Sequence, residues 1–451
     1  MASGSGCLTD AEASFEYRNQ NTSAQNVGSL FFPLTALIGV DPDCNMTPAM
    51  LEKVVYAGSR SSSFVHAAED VRKLAEANIS SQRIRRATER IGNERAAQSA
   101  KAQESYDAMY LPARQLAPEG VQVPQVACVQ MDGGRIQIRQ RCVSDEVVEQ
   151  TEDDEKHSGF WRESKAGCLL SMISETSSVD PIPTLPATFS DHAKMHKMCS
   201  EIKGFSSPDA QSDELSPTKQ ELIDALEDHT PKVDSRSVVA SMLCSSKFGL
   251  QLASAAYAQG FNAAARKAFV CDGQSANWRV WEQWFSHYTP IVDFIHAICY
   301  VFAASMAGRT KEDGWPIYLK RAQWLWEGNV NLIIEELQAE QETIGMPTKD
   351  ESTTTLRYNV ARALTYLTNQ RERMNYPEYR RQGLPITSSH IESTIKQINK
   401  RVKGSEKFWD RAANAILHLA ADHIGSPQLL AKFWAERPAT IASTRCSPLA
   451  A

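Results

Sequence analysis

Two short apolar runs, AFVCD at 268–272 and YTPIVD at 288–293, constrain the fold of this 451-residue chain more than any other feature. Each has the length and composition of a buried strand, and each ends in an aspartate. Between them Trp278, Trp281 and Trp284 recur every three residues, the stripe of an amphipathic helix packed on a core. Residues 294–306, directly after the second run, are apolar almost throughout and read as a buried helix. Strand, helix, strand, helix implies a parallel βαβ unit, because parallel neighbours need a long crossover and a helix is its usual form.

Upstream the pattern differs. Residues 121–141 (VQVPQVACVQMDGGRIQIRQR) give two β runs with Asp132-Gly133-Gly134 between or within them, and Ile136 and Ile138 alternate with polar neighbours. Residues 160–173 are a third strand candidate, so three consecutive strands predict an antiparallel meander ahead of the parallel unit. The fold class expected is mixed α/β. Earlier still, Thr47-Pro48 opens a helix, a second spans about 62–75, and a third starts at Ser80 or Ser81. The third carries Arg83, Arg85, Arg86, Arg90 and Arg95, and the turn before it contains Asn78. This is the outline of a helix-turn-helix and equally of a surface helix in a small bundle.

Residues 174–234 are rich in Ser, Pro and Asp and read as an irregular insertion. Within it His192, His196 and Cys199 have metal-like spacing without the fourth ligand a structural zinc site needs. A helix is expected over 238–260, and 315–375 is helical throughout. The resulting division is 1–105 helical, 106–310 the first part of the sheet domain, 311–385 a helical insertion, 386–425 the last part of the sheet domain and 426–451 a tail.

Composition narrows the function. A net charge of −6 confines any nucleic-acid surface to a local patch. None of the ten cysteines forms a CxxC pair, which argues against a zinc ribbon or a thioredoxin-like motif. The N-terminal residues lack a signal-peptide pattern and no early apolar run is long enough to span a bilayer, so a soluble intracellular protein is expected.

The stretch 385–422 carries the chemistry. Ser388 or Ser389 can cap a helix whose Ile391, Ile395, Ile398 and Val402 form one stripe, while Glu392, Lys396, Lys400 and Lys403 fall elsewhere. Just before it, Arg371, Arg373, Arg380 and Arg381 surround Tyr376 and Tyr379, interleaving suited to phosphates and bases. Asp132, Asp272 and Glu392 then stand out by position: two acids at strands and one at a helix start. Clustered carboxylates repel unless a cation neutralises them, and hard oxygen ligands select Mg²⁺ or Mn²⁺. Singly, each has a plainer explanation: Asp-Gly is a turn sequence, and a first-turn Glu complements the helix dipole. Asp293 competes with Asp272 for the second position.

The segments MDGGRIQIR (131–139), FWRESKAG (160–167), FVCDGQSANW (269–278), IVDFIHAICY (291–300), YLTNQRERMNYPEYRRQGLPI (366–386) and SSHIESTIKQINKRVKGSEKFW (388–409) together resemble a bacterial insertion-sequence transposase of the DDE type. The resemblance spans roughly 30–435. It implies a ribonuclease-H-like mixed sheet flanked by helices, with an N-terminal helical domain and an all-helical insertion. It also implies that Asp132, Asp272 and Glu392 form the catalytic, Mg²⁺-binding triad, with Mn²⁺ as alternative ion. The expected partner is double-stranded DNA, both transposon ends and target, bound by a homo-oligomer in the bacterial cytoplasm without any membrane. Arg371, Arg373, Tyr376, Arg380, Arg381, Lys396, Lys400, Arg401 and Lys403, together with Arg83 and Arg86, are the expected DNA contacts. A related nuclease without strand transfer, or a domesticated DNA-binding protein without chemistry, are the alternatives. Asp293 and His296 match a recurrent post-strand motif of unassigned role.

Overall fold

The computed structural model describes residues 4–9, 14–19, 40–41, 43–139, 161–203, 231–404, 407–409, 412–425 and 427–437. Strands β1 (Gly4–Thr9) and β2 (Ser14–Asn19) form a separate antiparallel hairpin. The main sheet has five strands in the order β5-β4-β3-β6-β7: β3 is Val126–Ile138, β4 Trp161–Ile173, β5 Lys232–Ser241, β6 Arg266–Cys271 and β7 Thr289–Val292. β4 runs antiparallel to both its neighbours, β3 and β5, whereas β3, β6 and β7 run parallel. A two-residue strand β8 (Phe408–Trp409) extends the far end of β3. The protein is therefore mixed α/β, an open sheet flanked by helices, as its sequence predicts. Among the described residues no helix is long and apolar enough to cross a membrane.

Asp132-Gly133-Gly134 does not turn. It continues β3, opposite Ala166, Lys165 and Ser164 of β4. A Cβ at Gly133 would lie 2.5 Å from Glu163 Oε1, so a side chain there would displace the Glu163 carboxylate. The third strand of the meander is a correction to the sequence expectation. Residues 238–241 belong to β5, and the helix begins only at Ser245 (α5, Ser245–Ala258). Ser, Arg and Asp at 234–237 hide the alternation, and pairing with β4 decides the conformation. The acidic run at 145–155 and residues 204–230 of the 174–234 segment lie outside the described residues. Helix α4 (His192–Lys203) of that segment packs its histidines on aromatic rings: His192 is 5.0 Å from Trp315, and His196 is 6.4 Å from Phe302.

Helices α1 (Pro48–Arg60), α2 (Phe64–Leu74) and α3 (Ser81–Asp107) are capped by Thr47, Ser63 and Ser80 and share a second apolar cluster, which Leu419 and Phe433 from the C-terminal helices join. α6 (Ser275–Trp284) links β6 to β7 and α7 (Phe294–Met306) follows β7, helices that the tryptophan stripe and the apolar run predict. The helices α8 (Lys311–Trp326), α9 (Val330–Ile344), α10 (Leu356–Gln370) and α11 (Tyr376–Arg381) share one continuous core with the sheet. α12 (Ser389–Val402), α13 (Ala413–Ile424) and α14 (Pro427–Glu436) are the last helices among the described residues. Arg95 donates to both oxygens of Asp422, at 2.7 and 2.9 Å, and ties α3 to α13.

A pH response is built into the first helical unit. Burial would raise the Asp41 carboxyl, but hydrogen bonds from Cys44, Arg90 and Arg437 outweigh it and lower its pKa from 3.8 to about 2. A depressed carboxylate stabilises the fold above its unfolded pKa and ceases to do so as pH falls through the folded value. The contacts of α3 with the 41–46 turn are therefore expected to loosen between pH 3.8 and about 2. Acid titration followed by circular dichroism checks this, and Asp41→Asn should remove that step.

Candidate metal centre

Register brings the acids together. Gln130 pairs with Val270, and Val270 with Ile291, across three neighbouring parallel strands. Two residues further along each strand stand Asp132, Asp272 and Asp293, in a row at one level of the sheet. Asp293 N still donates to Cys271 O at 2.9 Å, so the ladder persists to that level. Two-residue alternation puts the row on the face to which Gln130 points, with strands ~4.8 Å apart.

That face is covered by α12. Gln130 bonds to the backbone of Thr387 and Ile391, and a Cβ at Gly134 would lie 3.9 Å from Ile395 and 3.8 Å from Asn399. Asp132, between Gln130 and Gly134, therefore faces the first turns of α12, where Glu392 lies. The Lys-bearing side of α12 points outward: Lys396, Lys400 and Lys403 are exposed, while Ile391, Thr394 and Ile398 are buried.

Each acid is held differently. Asp132 Oδ1 accepts from Gly133 N at 2.6 Å. Asp272, just past β6, accepts from Gln274 N (3.1 Å), Gln274 Nε2 (3.0 Å) and Asn277 Nδ2 (3.1 Å). Its turn is braced from the helical insertion: Tyr366 Oη donates to Asp272 O at 3.0 Å and Gln370 Nε2 to Gly273 O at 2.9 Å. Gly273 has φ +94°, a conformation that side chains rarely adopt, and Tyr366 fills the space beside it. The Cys271 thiol is pushed well up by burial and then by the neighbouring Asp272 carboxylate, with Asp132 adding in the same direction.

The tightest group of described ligand atoms is a different trio. Asp293, His296 and Glu392 each offer an atom within 4.8 Å of the others, and Asp132 and Asp272 lie outside that group. His296 Nδ1 is hydrogen-bonded to Asp293 Oδ2 and lies 3.8 Å from Glu392 Oε1. Asp293 is fully buried, and its oxygens already accept from Ser388 N (2.9 Å) and His296 N (3.1 Å). A carboxylate so occupied is better suited to holding structure than to holding an ion.

The expected DNA contacts divide. Tyr376 is buried and donates to Val292 O at 3.1 Å. Arg380 is buried, donates to Asp180 Oδ1 at 2.8 Å and stacks 4.0 Å over Trp326. Arg401 is buried and donates twice to Gly58 O, at 3.0 and 2.9 Å, between the rings of Phe64 and Trp409. These three are corrections: each serves internal packing and none faces a solvent-side ligand. Arg373 lies 4.3 Å over Trp278, and Arg83 is exposed but donates to the backbone of Cys44 and Asn45. Arg86, Arg371, Arg381, Lys396, Lys400 and Lys403 remain exposed, with Arg371 paired to Glu372 and Arg381 to Glu378.

Sequence reasoning missed Gln130. The signal was there: one amide inside the apolar run VACVQM, which a buried strand tolerates only if it is hydrogen-bonded. No protein-family model matches the chain, and no curated protein matches it either.

Proposed function

We propose that the protein is a DDE-type transposase, a metal-dependent polynucleotidyl transferase that cuts DNA at element ends and joins it to a target. The observation that carries this is the placement of Asp132 and Asp272 at one level of adjacent parallel strands, beneath the helix that carries Glu392 in its first turn. The strand order, three antiparallel strands followed by two parallel additions on the other side of β3, supports a ribonuclease-H-like core. Acids on neighbouring strands repel, and a divalent cation is the natural neutraliser. Asp132, Asp272 and Glu392 would hold Mg²⁺, or Mn²⁺ in its place. When bound, such ions activate an attacking water or 3′-hydroxyl and stabilise the departing oxygen.

The chain's own residues supply the frame. Gln274 and Asn277 orient the Asp272 carboxylate, and Tyr366 and Gln370 fix its turn. Lys396, Lys400 and Lys403 form an exposed basic edge beside Glu392 on which a phosphate backbone can lie. Double-stranded DNA is the proposed partner, and pairing two ends calls for a homo-oligomer on it, in a bacterial cytoplasm.

Incubating the protein with linear DNA, Mg²⁺ and candidate terminal repeats tests the proposal. Joined products support it. Cut but unjoined products point to a nuclease, and a gel shift without cutting points to a binding protein.

A further inference from the structure

The helix carrying Glu392 is capped from outside itself. Ser388, at its N-cap, makes no side-chain capping bond. The sheet meets the free groups instead. Gln130 Oε1 accepts from Ile391 N at 3.1 Å, and Gln130 Nε2 donates to Thr387 O at 2.9 Å. Asp293 Oδ1 accepts from Ser388 N at 2.9 Å, and Phe294 N donates to Ile386 O at 2.9 Å. Every residue from 386 to 388, and Ile391 beyond, is thus bonded to β3 or to the end of β7.

The two side chains involved are both 0% exposed. A buried amide or carboxylate is costly unless its hydrogen bonds are made, so each is held to one geometry. Gln130 stands two residues before Asp132 on the same strand face, and Asp293 stands beside Asp272 in the row. The acids of the sheet and the clamps on the helix therefore alternate along the same short backbone stretches. We infer that Gln130 and Asp293 are a two-point clamp that sets Glu392 over Asp132 and Asp272, acting as positioning residues and not as ion ligands. The clamp has a catalytic consequence only on the transposase reading above.

Hydrogen exchange and Mn²⁺ titration of the full chain test this together. Gln130→Met keeps the side-chain shape and removes both bonds. Exchange over 387–395 should quicken by about 10-fold, as expected when one or two buried bonds are lost. Mn²⁺ affinity should fall by roughly 10–100-fold, the usual effect of losing an outer support. Asp293→Asn, the second variant, sets an amide N–H₂ against existing donors and should shift both readouts the same way. Asp132→Asn is the contrast: it should lose Mn²⁺ while exchange at 387–395 stays unchanged.

Unchanged exchange at 387–395 in both clamp variants overturns the clamp. So does loss of Mn²⁺ in Asp293→Asn without faster exchange, which would make Asp293 a ligand. Faster exchange with undiminished Mn²⁺ affinity also overturns the positioning role. If the unaltered protein takes up no Mn²⁺, or Asp132→Asn still binds it normally, the metal-centre reading fails by a separate signature, and the positioning role fails with it.

Discussion

Replacing Asp132 by asparagine is expected to reduce Mg²⁺-dependent cutting of element-end DNA by at least ~10²–10³-fold, the scale of losing one preorganised charge-stabilising group. DNA affinity should be unchanged. The asparagine oxygen can still accept from Gly133 N, so β3 keeps its local bond while the centre loses a negative charge. Cutting is measured on labelled linear DNA and affinity by gel shift in the same buffer. Persistent cutting in the variant would place the chemistry elsewhere.

The second large effect is structural. Arg380→Ala is expected to destabilise the fold by about 3–5 kcal/mol, the range for removing one partner of a buried ion pair. Arg380 lies against Trp326 and donates to Asp180 and to Trp326 O (3.0 Å), joining α11 and α8 to the segment before α4. Burial alone would raise the Asp180 carboxyl, and the Arg380 guanidinium outweighs it and holds it below the ordinary value. The stabilisation is thus present above the unfolded carboxyl pKa and fades as pH falls through the lowered one. Denaturant unfolding of the variant near neutral pH measures the loss. A variant that unfolds normally but binds DNA weakly would restore Arg380 to the DNA surface.

What the sequence disclosed depended on whether a signal was local. The apolar run 294–306 is buried along its length, so the helix was legible to its ends. The strands that end at Asp272 and Asp293 were legible because parallel strands are covered on both faces and read as unbroken apolar runs. β5 was not, since its alternation is blurred by Arg236 and Ser237, whose partners are Ile424 O and Gln259 far away in sequence. The arginine and tyrosine interleaving at 371–381 misled for a related reason. A guanidinium facing a phosphate and one facing a distant carboxylate look alike in one dimension, and Asp180 lies 200 residues upstream of Arg380. Asp132 and Asp272 could be picked out as strand acids and Glu392 as a first-turn acid, but their placement relative to one another, and the roles of Gln130, Asp293 and His296, needed the register of three strands.

Crystals grown or soaked with Mn²⁺ and read by anomalous scattering give the most direct check. The account predicts an ion coordinated by Asp132 and Asp272, with Glu392 reaching it from α12 and Asp293 keeping its bonds to Ser388 and His296. An ion seated on Asp293 and His296 instead, with Asp132 and Asp272 left uncoordinated, would contradict it.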